Sequence, residues 1–164
     1  MTLPDCDAYE EAIERKAAEL KANIGNIPIA IDCSATPRPL SLACFLLMHG
    51  FRVYAVFLDE ISAVEKDDFY FLQKYRPMLL LRSTMHYKRR LLGRDDVKKY
   101  GAVLAIGQKA AYFTGTNHFV NLIENNGLYG YTGLLKILDM MAVAVREEKN
   151  VPAIIQTKAW GCQA

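Results

Sequence analysis

The sequence is poor in most features that announce a function by themselves. Net charge is nearly absent: 20 Lys+Arg stand against 18 Asp+Glu. No global field therefore draws the chain towards nucleic acid or an anionic membrane, and neither partner is expected. Long apolar runs are missing, and stretches such as 43–48 fall far short of the roughly 20 residues a spanning helix needs. The opening Met1-Thr2-Leu3-Pro4-Asp5-Cys6-Asp7 has no basic n-region and no apolar h-region, so no signal peptide is read there and a cytoplasmic protein is expected. Four cysteines, Cys6, Cys33, Cys44 and Cys162, form no C-x-x-C pair. Reduced thiols are expected rather than a disulfide framework, with Cys33 and Cys44 in or near the core. G-x-G-x-x-G, G-x-x-x-x-G-K-[ST] and H-E-x-x-H are all absent, which removes the standard dinucleotide, P-loop and zinc-protease signatures.

What is present suffices for one folded domain. Of 164 residues, 52% are hydrophobic, enough to fill a core and to exclude disorder for the bulk of the chain. Asp7-Ala8-Tyr9-Glu10 has the spacing of a capping box, and Tyr9, Ile13, Ala17, Leu20 and Ile24 then recur at helical intervals up to Gly25. Short apolar runs at 27–31, 52–58, 78–81, 102–106 and 118–122 read as strands. Helices are expected at 40–49, from the capping box Ser62-Ala63-Val64-Glu65 to about Tyr75, at 84–92, 108–113 and 132–148. Residues 151–164 read as a strand, a docking tail or the stub of a longer chain. The alternation predicts an α/β fold: a three-layer, doubly wound, mainly parallel sheet of four to five strands. The division is an N-terminal helix over 1–25, one Rossmann-like domain over 26–148, and a tail over 149–164. Met48, Met78, Met85, Met140 and Met141 are expected as core fillers.

In an open α/β sheet, ligands bind beyond the carboxyl ends of the strands. Residues 32–39, 59–62, 82–84 and 107–109, with the loop 124–133, map to that edge. Arg38 stands between Pro37 and Pro39, in a stiffened loop where a guanidinium either meets an anionic guest or ties the loop to a neighbouring acid. Lys109 is a second cation on the same edge. Asp32 ends the first strand, where a phosphorylatable aspartate of a regulatory module would stand. The histidines are read as structural: His49 at a helix end, His86 on the surface, His118 entering a strand. The basic stretch 88–99 is broken by Asp95 and Asp96 and reads as a solvated face.

Ile106-Gly107-Gln108-Lys109, then Phe119-Val120-Asn121 and Gly127-Leu128-Tyr129-Gly130-Tyr131-Thr132-Gly133 before an apolar helix, resemble the nitrogenase component 1 family. Thr36-Pro37-Arg38-Pro39 resembles that family's cofactor loop. The family comprises subunits of the molybdenum–iron protein, the scaffolds that mature its cofactor, and dark-operative protochlorophyllide reductase. The resemblance covers about residues 24–146 and implies the C-terminal Rossmann-like domain of such a subunit. It implies one wall of an anionic cofactor pocket, inactive alone, in a metallocluster oxidoreductase or maturation scaffold. By position, Arg38 matches the arginine beside the cofactor and Lys109 the lysine near its organic acid. Ser34, Thr36, Gln108 and Glu124 complete the candidate binding set. The stretch Leu122-Ile123-Glu124-Asn125-Asn126 has no histidine where the family's catalytic subunit supplies a cluster ligand. Glu124 stands there either as an oxygen ligand or as part of a polar surface loop. The implied cofactor in a full-length member is an iron–sulfur or iron–molybdenum-type cluster, or a tetrapyrrole substrate, with none expected in the isolated domain. The implied partners are other domains or a paired subunit, and an ATP-dependent iron protein. A second reading is a flavodoxin-like regulatory module that binds a small molecule without redox chemistry. A third is an interaction domain that uses its tyrosines and residues 151–155 as a partner surface.

Overall fold

The computed structural model describes residues 6–88, 94–123 and 127–158. The elements follow in the order α1 (Cys6–Ile24), β1 (Ile29–Asp32), α2 (Pro39–Met48), β2 (Val53–Phe57), a 3-10 turn (Ala63–Glu65), α3 (Lys66–Tyr75), β3 (Leu80–Arg82), α4 (Asp96–Tyr100), β4 (Leu104–Ile106), α5 (Gln108–Thr114), β5 (Phe119–Val120), α6 (Gly130–Ala144) and α7 (Val151–Lys158). The strands form one sheet in the order β3-β2-β1-β4-β5, and every neighbouring pair is parallel. The chain winds outward from β1 to β3, returns past β1 to β4, and winds the other way to β5. Right-handed crossovers then put successive helices on opposite faces of the two halves.

Alternation along the strands divides the core into two layers. Ile29, Ile31, Leu104 and Ile106 face α1, α2, α3 and α6, packing with Leu20, Leu40, Leu46, Leu72 and Met141. Ala30, Tyr54, Phe57, Ala105 and Phe119 face the other way, against Ala110 and Ala111 of α5 and Val151 of α7. Small residues on β1 and β4 let α5 lie close to the sheet. The N-terminal helix belongs to the first layer: its Ile13, Ala17, Leu20 and Ile24 are buried, and Ala17, Leu20 and Ile24 share one cluster with β1. On the second face, Asp96 of α4 accepts Tyr54 Oη–H and Arg82 Nη1–H, both at 2.8 Å. That network pins α4 to β2 and β3.

Several expectations change. The segment 84–92 does not begin as an α-helix; its described residues, 84–88, turn so that Thr84 and Met85 donate backbone N–H groups to Asp59, and the remaining four lie outside the described residues. Asp7 falls inside the first turn of α1 rather than ahead of it, while Glu10 accepts a hydrogen bond from Tyr131 Oη at 2.8 Å. Met48, Met78 and Met85 are 74%, 87% and 79% exposed rather than core fillers; Met141 is fully buried. Residues 151–158 form α7, and Val151 packs inward. His49 lies at the end of α2, its Nδ1 2.8 Å from Phe45 O and its Nε2 3.0 Å from Glu14. His118 Nδ1 lies 3.1 Å from Ala144 O, and His86 is exposed. Cys6 is exposed, Cys33 half-buried and Cys44 buried, all three as free thiols. No helix among the described residues is long and apolar enough to cross a membrane.

Candidate functional site

Because β1 lies between β2 and β4, the crevice beyond the carboxyl ends of β1 and β4 is the switch point of the sheet. Its walls are the loop from β1 to α2 and the start of α5. Asp32 joins them. By strand alternation it shares the α5 face with Ala30, and it is fully buried. One carboxyl oxygen, Oδ1, accepts Ser34 N–H at 2.8 Å, Ser34 Oγ–H at 2.5 Å and Ala35 N–H at 3.0 Å. The other, Oδ2, accepts Ala110 N–H of α5 at 2.7 Å. Burial outweighs the hydrogen bonds from Ser34, Ala110 and Ala35 and pushes the Asp32 carboxyl above its ordinary range. Gly107 sits against it: φ is +104°, and a Cβ there would come within 3.0 Å of both carboxyl oxygens. With no exposed surface and both oxygens engaged, Asp32 is not presented as a phosphoryl acceptor, and the regulatory reading loses its marker.

The second wall is built around Arg38, which precedes α2 with Pro39 at the first helical position. Arg38 N–H donates to Thr36 Oγ1 at 3.3 Å. The next two amides, Leu40 N–H and Ser41 N–H, donate to Glu65 Oε1 at 2.8 and 3.1 Å. Glu65 is 2% exposed, and its Oε2 receives Ser62 Oγ–H at 3.3 Å. The capping-box spacing of Ser62–Glu65 thus reads differently in three dimensions: it makes a 3-10 turn, and the glutamate caps α2, the neighbouring helix. One turn further on, Asp68 accepts Ser41 Oγ–H at 2.5 Å and lies 3.8 Å from Arg38 Nη2. The Arg38 side chain remains 56% exposed.

Lys109, on α5, reaches over the loop after β3, with Nζ 3.5 Å from Thr84 Oγ1. That loop is gathered on Asp59, which accepts Ser83 Oγ–H at 2.8 Å, Thr84 N–H at 2.7 Å and Met85 N–H at 3.0 Å, together with the Thr84 hydroxyl. Slight burial would raise the Asp59 carboxyl, yet the hydrogen bonds from Thr84, Ser83 and Met85 together hold it below the usual range. Cys33 stands among these groups. Burial raises its thiol, Lys109 opposes that, and Asp32 and Asp59 reinforce the rise. Gln108 Nε2 donates to Asn121 Oδ1 at 2.6 Å, tying α5 to the segment after β5.

Of the six sequence candidates, five lie on the two segments that flank the crevice: Ser34, Thr36 and Arg38 in the loop after β1, and Gln108 and Lys109 in the first turn of α5. Glu124 lies outside the described residues. Ser34 and Gln108 are engaged in bonds within the protein, whereas Arg38 and Lys109 keep exposed cationic ends. Sequence reasoning missed Glu65 as a member of the site and Asp32 as its keystone. A buried acid is not marked by its own neighbours, and the nearest sequence signal was Asp32 ending an otherwise apolar strand. Among the described residues, no three His, Cys, Asp or Glu side chains converge as a metal-holding group.

No protein-family model matches the chain, and no curated protein is detectably similar to it in sequence. Among solved structures, nitrogenase Cp1 at pH 6.5 superimposes with a TM-score of 0.61 over 99% of this chain, at 11% identity. The chain spans only 36% of that nitrogenase chain. At that identity the likeness concerns the fold: a five-stranded, all-parallel α/β sheet of the Rossmann-like kind found in nitrogenase domains.

Proposed function

From a nitrogenase-like fold whose switch crevice keeps two exposed cations, we propose that this chain acts as a domain of a nitrogenase component 1-type oxidoreductase or of a metallocluster-maturation scaffold. It forms one wall of a pocket for an anionic cofactor or a tetrapyrrole carboxylate and is not catalytic alone. The observation that carries the reading is the state of Arg38 and Lys109. Arg38 has an acid only at 3.8 Å, and Lys109 meets a hydroxyl at 3.5 Å. A guanidinium offers a planar fork to a carboxylate, and an ammonium offers a mobile point charge. Thr36 Oγ1 accepts the Arg38 amide, which leaves its O–H to donate to the same guest. Exposed pairs of this kind are weak in water and strengthen when a second wall excludes solvent, so the pocket is completed by another domain or a paired subunit. An ATP-dependent iron protein would deliver electrons to the assembled complex, and the cytoplasm is the compartment that fits such a partner.

The test is binding of protoporphyrin IX, a tetrapyrrole dicarboxylate, followed by its Soret band with the full chain. Saturable binding is expected, weakened about tenfold by either Arg38→Ala or Lys109→Ala and further by salt. Arg52→Ala, a control before β2, is expected to leave binding unchanged. Absence of saturable binding, or equal affinity in the double variant, overturns the cationic wall.

A further inference from the structure

In doubly wound sheets, phosphates settle where a loop and the first turn of the following helix present free amides. The corresponding stretch here, residues 33–42, is already hydrogen-bonded within the protein at every amide except that of Thr36. Pro37 and Pro39 have no N–H. Cys33 N–H donates to Phe57 O at 2.9 Å, and Ser34 and Ala35 donate to Asp32. Arg38 donates to Thr36, Leu40 and Ser41 donate to Glu65, and Leu42 to Arg38 O. A helix start leaves its first amides without intrahelical partners, and on α2 a buried carboxylate from 25 residues away has taken them. Burying that carboxylate is tolerable only because it is so hydrogen-bonded. Across the crevice, Asp32 Oδ2 holds Ala110 N–H in the same manner.

We propose that Glu65 and Asp32 are specificity determinants of the switch crevice: internal carboxyl groups that hold the amides of Ser34, Ala35, Leu40, Ser41 and Ala110, so that the loop from β1 to α2 rejects nucleotides and phosphate esters and admits only ligands held by side-chain cations. The second half rests on the function proposed above; the rejection of phosphate stands without it. A phosphate entering the loop would find only the Thr36 amide uncommitted and an acid already seated at the helix end. This sets the crevice apart from flavin- and nucleotide-binding sheets of the same winding, in which those amides are the binding site.

Two measurements test the inference. With the unaltered chain, calorimetric titration of ADP, pyrophosphate and inorganic phosphate is expected to give no saturable heat, and saturable binding of any of them overturns the proposal. In Glu65→Ala the amides of Leu40 and Ser41 lose their acceptor. The thermal midpoint is expected to fall and then to recover by on the order of 2–5 °C in formate or phosphate, relative to chloride at equal ionic strength. The unaltered chain should show no such difference between anions. A Glu65→Ala midpoint that does not fall, or that formate, phosphate and chloride restore equally, overturns it. Should that variant fail to fold in chloride, its refolded fraction in formate against chloride replaces the midpoint, and equal fractions count against the proposal. Loss of protoporphyrin binding in Arg38→Ala concerns the cationic wall only, so the two readings fail independently.

Discussion

Gly107→Ala probes the joint between β1 and α5 most directly. Two separate penalties are built into the position. A φ of +104° is strained for any residue with a Cβ, at about 1–2 kcal/mol. The added methyl also overlaps the Asp32 carboxyl, which must move. Moving it weakens the bond to Ala110 N–H and those to Ser34 and Ala35, for roughly 2–3 kcal/mol more, because a buried acceptor and its donors lose each other together. The sum, about 3–5 kcal/mol, is a large part of a domain's stability. It corresponds to a fall in midpoint of roughly 6–20 °C for a chain of this size. The assay is a double-mutant cycle by urea unfolding: Gly107→Ala, Asp32→Ala and both together. With Asp32 truncated there is nothing for the methyl to strike, so Gly107→Ala should then cost only its backbone strain. A coupling of about 2 kcal/mol is expected. Additivity within about 0.5 kcal/mol would refute the account, because it would mean that glycine is needed there for its backbone alone.

Asp32 also leaves a pH signature. Its carboxyl lies above the unfolded value of 3.8, so its contribution is fully present below that pH and is lost as pH rises through the folded value. The stability of the native chain relative to Asp32→Asn should therefore shrink as pH rises above 3.8, read as the difference in urea midpoints; a difference that grows would contradict burial as the dominant cause. Elsewhere on the same face of the sheet, Asp96→Ala should cost about 2–3 kcal/mol, because it leaves Arg82 and the Tyr54 hydroxyl without their shared acceptor. Tyr54→Phe should cost only about 1 kcal/mol, since Arg82 keeps its acid. Equal losses in thermal denaturation would contradict that partition.

The order of elements was legible because buried strands and amphipathic helices write their periods into the residue types. The run Ile29-Ala30-Ile31 ahead of Asp32 reads as a central strand, and Ile13, Ala17, Leu20 and Ile24 read as one helical face. Their partners were less legible. Ser62–Glu65 has the spacing of a local cap, but local spacing cannot tell that the glutamate's acceptor oxygens lie closer to the start of a helix 25 residues upstream. Residues 84–88 contain no Gly or Pro to mark a turn, yet Asp59 offers the N–H groups of Thr84 and Met85 an acceptor that a new helix start would lack. The exposed methionines mislead for a simpler reason: the sulfur chain is hydrophobic by composition wherever it sits, and Met78 before the edge strand β3 has nothing above it. At the site, Arg38 was visible as a cation in a proline-stiffened loop and Lys109 as a second cation after β4, whereas the acids that shape the crevice were hidden by their burial.

A loop is usually the part of a domain that bends to let a guest in. The lip of this crevice is held at both ends: Asp32 ties Ser34 and Ala35 to Ala110 of α5, and Glu65, from the 3-10 turn, holds the first amides of α2 at Leu40 and Ser41. Displacing the lip therefore breaks bonds at both of its ends, and in the function proposed above such a stiff edge would serve as an anvil against which a facing wall closes.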